Sequence, residues 1–339
     1  MALSPPSDLQ GRSALVTGGS RGLGLLLGAR LALRGCRVTV AARDAEELRR
    51  AAAWIEERTG VTPRTAVCDV RDLTAVESAV RDAESAQGGL DVVVANAGII
   101  QVGPLASLDA KAFEDAMATI FGGTVNTATA ALPHLRRSPA GGRLCLIGSV
   151  GGLLAVPHLL PYSCAKAAVG ALGEGLRAET AREGLSVTTV HPGLMRTGSH
   201  LQAEFGGPSS QEFAWFSALA GMPVVSMDAE RAAERIVRAL ERRKTRVVLT
   251  PAARAAGLAH GIAPTVVTRL SGLAARALPQ ASARDAATPG RRGSGVEQGH
   301  RIDRPASGWT ERLRRAGSLL NDRAARRYNQ RTPGPPSDA

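Results

Sequence analysis

With 339 residues, 44% of them apolar and 21% charged, the chain has the make-up of an ordinary folded protein and room for one large domain with an appendage, or for two domains. Its net charge of +12 is uneven: residues 1–250 hold 27 Lys and Arg against 24 Asp and Glu, whereas residues 251–339 hold 15 against 6. Aromatic side chains at 3% supply few stacking platforms for nucleic acid, Cys36, Cys68, Cys145 and Cys164 show neither a disulfide framework nor zinc-ligand spacing, and no leader pattern or 18-residue uncharged apolar run points to secretion or a membrane span.

Residues 1–10 form a short lead. From Arg12 to about Thr250, short β-type runs then alternate with helical patterns. The runs lie at 14–16, 38–41, 65–68, 91–94, 144–147, 187–190 and 247–249; helical stretches include 44–57, 108–136, 163–182 and 229–242. Steady alternation predicts parallel pairing with right-handed crossovers, so residues 11–250 are expected to form an α/β domain, a doubly wound sheet of seven parallel strands. The strands read as continuous apolar runs, as burial on both faces requires. Residues 251–339 are expected to form a basic, partly disordered helical extension. Residues 252–278 are rich in Ala and Leu, 279–308 hold only Val296 and Ile302 as larger aliphatics and are expected to be disordered, and 309–330 regain a helical pattern.

The first strand runs into Thr17-Gly18-Gly19-Ser20-Arg21-Gly22-Leu23-Gly24 and then an apolar helix. Glycines there let the backbone turn tightly and approach a pyrophosphate, whose charge meets the free N–H groups and the positive end of the helix dipole. No Gly-Lys-Ser/Thr follows, so this is not a P-loop. Cofactor choice is read one strand later. An acidic residue at the tip of the second strand would accept hydrogen bonds from a ribose 2′-OH, but the tip is Ala41-Ala42-Arg43. Arg43, with Arg21, is placed to face a 2′-phosphate, which favours NADP(H), that is NADPH, over NADH; solvated arginines, or Asp44 neutralising Arg43, are the alternatives.

Pro161-Tyr162-Ser163-Cys164-Ala165-Lys166 opens a helix and sets Tyr162 and Lys166 one turn apart on one face, with Ser149 at the end of the preceding strand. A free phenol titrates near about 10, too high for easy proton exchange at neutral pH, and a nearby ammonium favours the phenolate. Lys166 is therefore expected to ease ionisation of Tyr162, while the Ser149 hydroxyl holds the reacting oxygen of a carbonyl or carbinol. A packed Tyr162 ring is the bland alternative.

Together these motifs resemble the short-chain dehydrogenase/reductase family over roughly residues 10–250. The match comprises residues 17–24, Asp69-Val70, Asn96-Ala97-Gly98, Ser149, Tyr162-x-x-x-Lys166, and Pro192-Gly193 followed by Thr197. The resemblance implies a Rossmann-like oxidoreductase, commonly dimeric or tetrameric. It assigns Thr17, Gly18, Ser20, Arg21, Gly22, Leu23 and Gly24 to the cofactor's phosphates, Asp69 and Val70 to its adenine, and Asn96, Ala97 and Gly98 to the sheet beside it. Pro192, Gly193 and Thr197 belong at the nicotinamide end, Thr197 on the carboxamide. It makes Tyr162 the general acid/base, Lys166 the ligand of the nicotinamide ribose, and Ser149 the group that orients substrate. One departure stands out: the position where family members often carry a relay asparagine is Ile120, and Asn126 lies about two turns further on. A GxSxG nucleophile elbow is absent, because position 147 is Ile.

His191 reads as structural, His134 as sitting on a helix exterior, and His158 as bordering the substrate or pointing to water. No His or Cys pair has metal-ligand spacing. The loop 151–160, with Leu194, Met195, Leu201, Phe205, Phe213, Trp215, Phe216 and Met222, is expected to wall the site and so to select a lipophilic alcohol or ketone; covering the sheet or making a dimer contact is the alternative. The tail is read first as solvated arginine-rich chain and second as a helix whose Trp309, Leu313, Ala316, Leu320 and Tyr328 face touches anionic lipid; nucleic-acid binding comes last. The expected protein is cytoplasmic, with peripheral membrane contact open, and the competing function is a low-turnover NADP-binding sensor or scaffold.

Overall fold

Every apolar run read from the sequence becomes a strand of one central sheet in the computed structural model, which describes residues 8–223, 225–280, 296–302 and 309–330. The sheet contains β1 (Ser13–Thr17), β2 (Arg37–Ala42), β3 (Arg64–Val67), β4 (Val92–Ala95), β6 (Arg143–Ile147), β7 (Ser186–His191) and β11 (Arg246–Val248). Their order is β11-β7-β6-β4-β1-β2-β3, and all pairs are parallel. The chain winds outward from β1 through β2 to β3, then returns to β4 and winds the other way. That reversal leaves a crevice beyond the carboxyl ends of β1 and β4, where ligands of such sheets bind.

Helices cover both faces. On one side α1 (Gly22–Leu33), α2 (Ala45–Thr59) and α8 (Ala229–Glu241) pack through residues such as Leu25, Leu27, Ile55 and Ile236. On the other, α3 (Leu73–Gln87), α5 (Gly123–Arg136) and α6 (Leu160–Glu179) pack through Val80, Leu135 and Val169. The helix expected over 108–136 is in fact interrupted: α4 (Ala110–Ala116) passes through a π-turn, Met117–Gly122, before α5 begins. Such a turn shifts the hydrogen-bond register by one residue, and no residue type marks it in a sequence.

A smaller lobe stands over the carboxyl ends of the strands. It holds β5 (Gln101–Val102), β8 (Met195–Arg196), β9 (Glu204–Gly206), α7 (Ser209–Gly221) and β10 (Met227–Asp228) around Phe205, Phe213 and Phe216. The extension contributes to this lobe. Val296–Gln298, in the stretch expected to be disordered, forms β12 and pairs antiparallel with β9, because Phe205 and its neighbours offer an unfilled sheet edge; a short helix, Gly299–Ile302, follows it. The remainder of 281–308 lies outside the described residues.

α9 (Pro251–Ile262) and α10 (Pro264–Ala275) follow β11 and leave Leu258, Ile262, Val266, Leu270 and Leu273 exposed. The C-terminal helix, Trp309–Arg327, is packed against the protein through part of its length. Ala324, Ala325 and Tyr328 are buried against the protein, whereas Leu320 of the expected face is exposed; the side chains of Trp309, Leu313 and Ala316 lie outside the described residues. Among the described residues no helix is long and apolar enough to cross a membrane, and no cluster of His, Cys, Asp or Glu is arranged to hold a metal ion.

Candidate active site

A cleft of about 690 Å³ opens at the topological switch and runs from Arg43 to Tyr162 and Lys166. Its floor is the loop after β1. Gly18 has φ of +63°, and a Cβ there would lie 2.7 Å from the Ala97 Cα, so only glycine allows the two loops to touch. The Asn96 amide donates to the carbonyls of Thr17 and Gly18 at 3.1 and 3.0 Å, and the Thr17 hydroxyl accepts from the Asn96 N–H. Asn96 thereby ties the tips of β1 and β4 together. No side chain caps α1 and its first turn has no acidic residue, so the positive end of that helix faces the cleft, with its Gly22 N–H donating to the Tyr328 carbonyl. These features fit a dinucleotide pyrophosphate.

At the tip of β2, Arg43 is exposed, lines the cleft and has no hydrogen-bond partner among the described residues. Asp44 does not neutralise it by a bond: the Asp44 carboxylate accepts the Glu47 N–H and caps α2. Arg21 is engaged differently from Arg43. Its guanidinium pairs with Glu47 at 2.8 Å, and the Ser20 hydroxyl donates to the other oxygen of the same carboxylate at 2.9 Å. Asp69 lies further along the wall, held below the usual carboxylate range by hydrogen bonds from Arg71. Asn126, two turns past the expected relay position, donates to the Val70 carbonyl at 2.9 Å and so fixes the end of this wall.

The other end of the cleft is built by β6 and α6. Pro161 at the start of α6 and the 3.6-residue repeat bring Tyr162 and Lys166 onto the same face, both lining the cleft; Ser149, beyond β6, is hydrogen-bonded to Tyr162 but does not itself line the cleft. Lys166 is 5% exposed and donates to the Ile147 carbonyl at 2.6 Å; its nitrogen is 5.8 Å from the centre of the Tyr162 ring. Burial lowers the Lys166 ammonium to about 8. Burial also pushes the Tyr162 phenol up, opposed by a hydrogen bond with Ser149. In this arrangement one donor of the Lys166 ammonium is engaged by the Ile147 carbonyl, and desolvation acts on both groups.

Pro192 and Gly193 line the same end, and the Pro192 carbonyl accepts from Val150, joining the serine loop to the segment after β7. Thr197 is buried beside them. Ile120 sits in the π-turn, wholly buried in the apolar layer; Thr119 rather than Ile120 reaches the cleft. An apolar side chain packed there holds no water.

His191 is buried with Nδ1 3.2 Å from the Ser149 carbonyl, and burial lowers its pKa; it supports the serine loop. His134 pairs with Glu84 at 2.7 Å on the rim of α5. His158 does not line the cleft: its Nδ1 lies 2.9 Å from Glu212, whose second oxygen accepts from the Trp215 indole at 2.6 Å. The expected apolar wall is also corrected. Leu201, Phe205, Phe213 and Phe216 are the lobe's own core, and Met195 is the one named side chain that reaches the cleft. Large aromatic residues are drawn inward because the lobe has little else to bury. The wall instead carries Ile99, Ile100 and Ala203 beside Ser199, Gln202, Gln298 and Gln330. The three glutamines had no local motif to announce them.

The glycine loop, the switch-point crevice and the Ser-Tyr-Lys group define a dinucleotide-binding oxidoreductase architecture. A family model described as short chain dehydrogenase matches residues 12–204. Gluconate 5-dehydrogenase of Gluconobacter oxydans is 37% identical over 191 residues, 56% of this chain and 73% of that protein. The dehydrogenase/reductase SDR family protein 7-like of Anopheles gambiae is 31% identical over 263 residues, 76% of this chain and 81% of that one. A short-chain dehydrogenase of Mycobacterium paratuberculosis, solved bound to NAD, superposes with a TM-score of 0.62 at 26% identity, covering 71% of this chain and 96% of that one. The chain belongs to the short-chain dehydrogenase family and is, with it, a nicotinamide-dependent oxidoreductase.

Proposed function

We propose that the protein transfers a hydride between NADP(H) and a secondary alcohol or carbonyl while Tyr162 exchanges the proton. The observation that carries this reading is the meeting of Tyr162 and Lys166 at one end of a cleft whose other end presents Arg43, with Ser149 hydrogen-bonded to Tyr162 behind the cleft wall. A bound nicotinamide supplies or accepts the hydride. The Tyr162 hydroxyl gives its proton to the substrate oxygen in reduction and takes it back in oxidation, and Ser149 hydrogen-bonds the same oxygen. Lys166 holds the nicotinamide ribose and, at about 8, titrates close enough to neutrality to pass a proton onward. Gly18, Gly22, Leu23 and Gly24 receive the phosphates, with Asp69 and Val70 at the adenine and Thr197 at the carboxamide.

NADP(H) preference rests on Arg43. Arg21 is already held by Glu47, so Arg43 is the guanidinium left to pair with a 2′-phosphate. For substrate, Ile99, Ile100, Met195 and Ala203 support a lipophilic alcohol or ketone. Gln202 and Gln298 in the same wall, and the likeness to gluconate 5-dehydrogenase, favour a polyhydroxylated substrate as the second reading. The sensor or scaffold reading drew on Ile120 and the tail; the complete Ser149, Tyr162 and Lys166 set speaks for turnover.

The test follows NADPH oxidation against steroid, retinoid, fatty and sugar carbonyls. Turnover with the first three classes supports the lipophilic reading, and turnover with sugars alone replaces it by the second. Tight NADPH binding without turnover of any class would leave the sensor.

A further inference from the structure

The chain's last described residues, Tyr328 to Gln330, lie across the glycine loop that the dinucleotide reading gives to the phosphates. The Gly22 N–H, at the positive end of α1, donates to the Tyr328 carbonyl at 3.0 Å. A backbone N–H has one hydrogen to give, so this carbonyl stands where a phosphate oxygen would have to be. Asn329, with φ of +56°, turns the chain back onto the loop; its amide donates to the Ser20 and Glu47 carbonyls at 2.8 and 3.1 Å and accepts from Arg50.

Gln330 completes the obstruction. It is 5% exposed and lines the cleft, with its Nε2 2.8 Å from where a Cβ on Gly22 would be. A glycine at this position keeps the space over the backbone clear for a pyrophosphate, and here the carboxamide fills it. The Gln330 Oε1 is buried without a hydrogen-bond partner. It and the Tyr328 carbonyl are both acceptors, and neither can bond a pyrophosphate, whose oxygens also only accept. An anion reaching the loop therefore meets occupied space and like dipoles together.

The grip is polar at the tip and apolar behind it. The Tyr328 ring is buried edge-on to Trp54 with centroids 6.3 Å apart, the Trp54 indole donates to the Arg327 carbonyl at 2.7 Å, and the Gln202 side chain donates to the Gln330 carbonyl at 2.8 Å. The helix before the segment has a separate anchorage. Asn321, with no exposed surface, accepts from the Gly198 N–H and donates to His200 Nδ1, each at 2.8 Å. That anchorage lies about two turns upstream of Tyr328, so the tip can lift while the helix stays docked.

We propose that the segment from Tyr328 to Gln330 is an autoinhibitory strap: in the ligand-free chain it occupies the pyrophosphate position on the glycine loop, and NADPH binds only when the segment lifts. This rests on the dinucleotide reading of the cleft. Arg43, which would meet the 2′-phosphate, is exposed and bonded to no residue of the strap, so the block falls on the middle of the cofactor and leaves its adenosine end free. Apparent affinity for NADPH is then that of the open form reduced by the fraction of chains that are open.

The test compares the full chain with Asn329→Ala, which removes the grip on the loop, and Gln330→Ala, which clears the space over Gly22 and keeps the main-chain bonds of residue 330. Affinity and association rate are measured for NADPH, and affinity alone for adenosine 2′-monophosphate, which lacks the pyrophosphate. Both variants are expected to bind NADPH about tenfold more tightly and to associate faster, with affinity for adenosine 2′-monophosphate within about twofold of the unsubstituted chain. Hydrogen exchange adds a reading independent of the variants: NADPH should speed exchange of the Tyr328 and Gln330 amides, whereas a segment closing over the cofactor would slow it. Should Asn329→Ala fail to fold, Gln330→Ala and the exchange measurement carry the comparison. NADPH affinity unchanged or weaker in the folded variants overturns the strap, and so does slower exchange of those amides in the bound chain. An equal gain for adenosine 2′-monophosphate also overturns it, because the block would not lie at the pyrophosphate. Failure of all three chains to bind any dinucleotide, with the strap loosened or not, overturns the cofactor reading and the strap with it.

Discussion

The ammonium of Lys166 donates to the Ile147 carbonyl at 2.6 Å, one strand end away from the serine loop, in surroundings that hold its pKa near 8. The bond locks the long side chain to the tip of β6, and so sets the distance between its nitrogen and the Tyr162 ring. Desolvation is the dominant influence on this group, and it has a thermodynamic consequence.

Because the folded pKa of Lys166 lies below its unfolded value, the unfolded chain binds more protons between about pH 8 and the ordinary lysine range near about 10.4. The contribution of this group to stability is therefore least favourable at neutral pH and improves as pH rises through that window. Relative to Lys166→Met, the unsubstituted protein should gain about 3 kcal/mol of unfolding free energy between pH 7.5 and 10.5. Urea titrations of both proteins at several pH values measure the difference; a flat difference would mean that Lys166 keeps its proton as readily folded as unfolded.

Removing the Tyr162 hydroxyl separates binding from chemistry. Tyr162→Phe should keep NADPH affinity within a few-fold and lose about 10²- to 10⁴-fold in turnover, the range for a positioned acid/base. Stopped-flow measurement of the hydride step reads this directly. A Phe variant as fast as the parent would remove Tyr162 from the reaction.

Arg43→Asp should reverse cofactor preference. Loss of a charge-assisted bond to the 2′-phosphate is worth about 1.5–3 kcal/mol, so NADPH should bind about 10- to 100-fold more weakly, while NADH gains an acceptor for its ribose hydroxyl. Calorimetric titration with both cofactors decides. Tighter NADH than NADPH binding by the unsubstituted chain would show that Glu47, beside Arg21, governs the choice instead.

Asn321→Ala should loosen the extension. It deprives the Gly198 N–H and the His200 ring of their buried partners, a loss of about 2–4 kcal/mol. Limited proteolysis should then cut the C-terminal helix sooner while the central domain stays intact. Unaltered protection would mean that the remaining contacts, the His200–Asp322 and Trp54–Arg327 bonds and the burial of Ala324, Ala325 and Tyr328, suffice to hold the helix.

The central sheet and the placing of Tyr162 and Lys166 on one helix face were legible because their signals are local. A strand buried on both faces has to be a continuous apolar run, as 92–95 and 144–147 are, and a turn that touches a phosphate has to be rich in glycine, as 18–24 is. Tyr162 and Lys166 could be paired because a helix brings residues four apart together. The interruption at Met117–Gly122 was not legible, since a π-turn has no composition of its own, and Ile120 could be flagged only as a departure. The apolar residues after Gly193 were legible as buried but not as to where: hydrophobicity drives burial without direction, and Phe205, Phe213 and Phe216 met one another instead of the cleft.

By itself, then, the order of residues determined the parallel sheet, the glycine loop after β1 and the one-turn spacing of Tyr162 and Lys166, each of which follows from spacing over a few residues. Tertiary structure alone decided that Lys166 donates to the Ile147 carbonyl and that residues near 330 lie across the loop at 20–22. Those outcomes depend on which of several polar groups are brought within hydrogen-bond reach. Such proximity arises when elements three hundred residues apart pack on one sheet, and no local pattern records it.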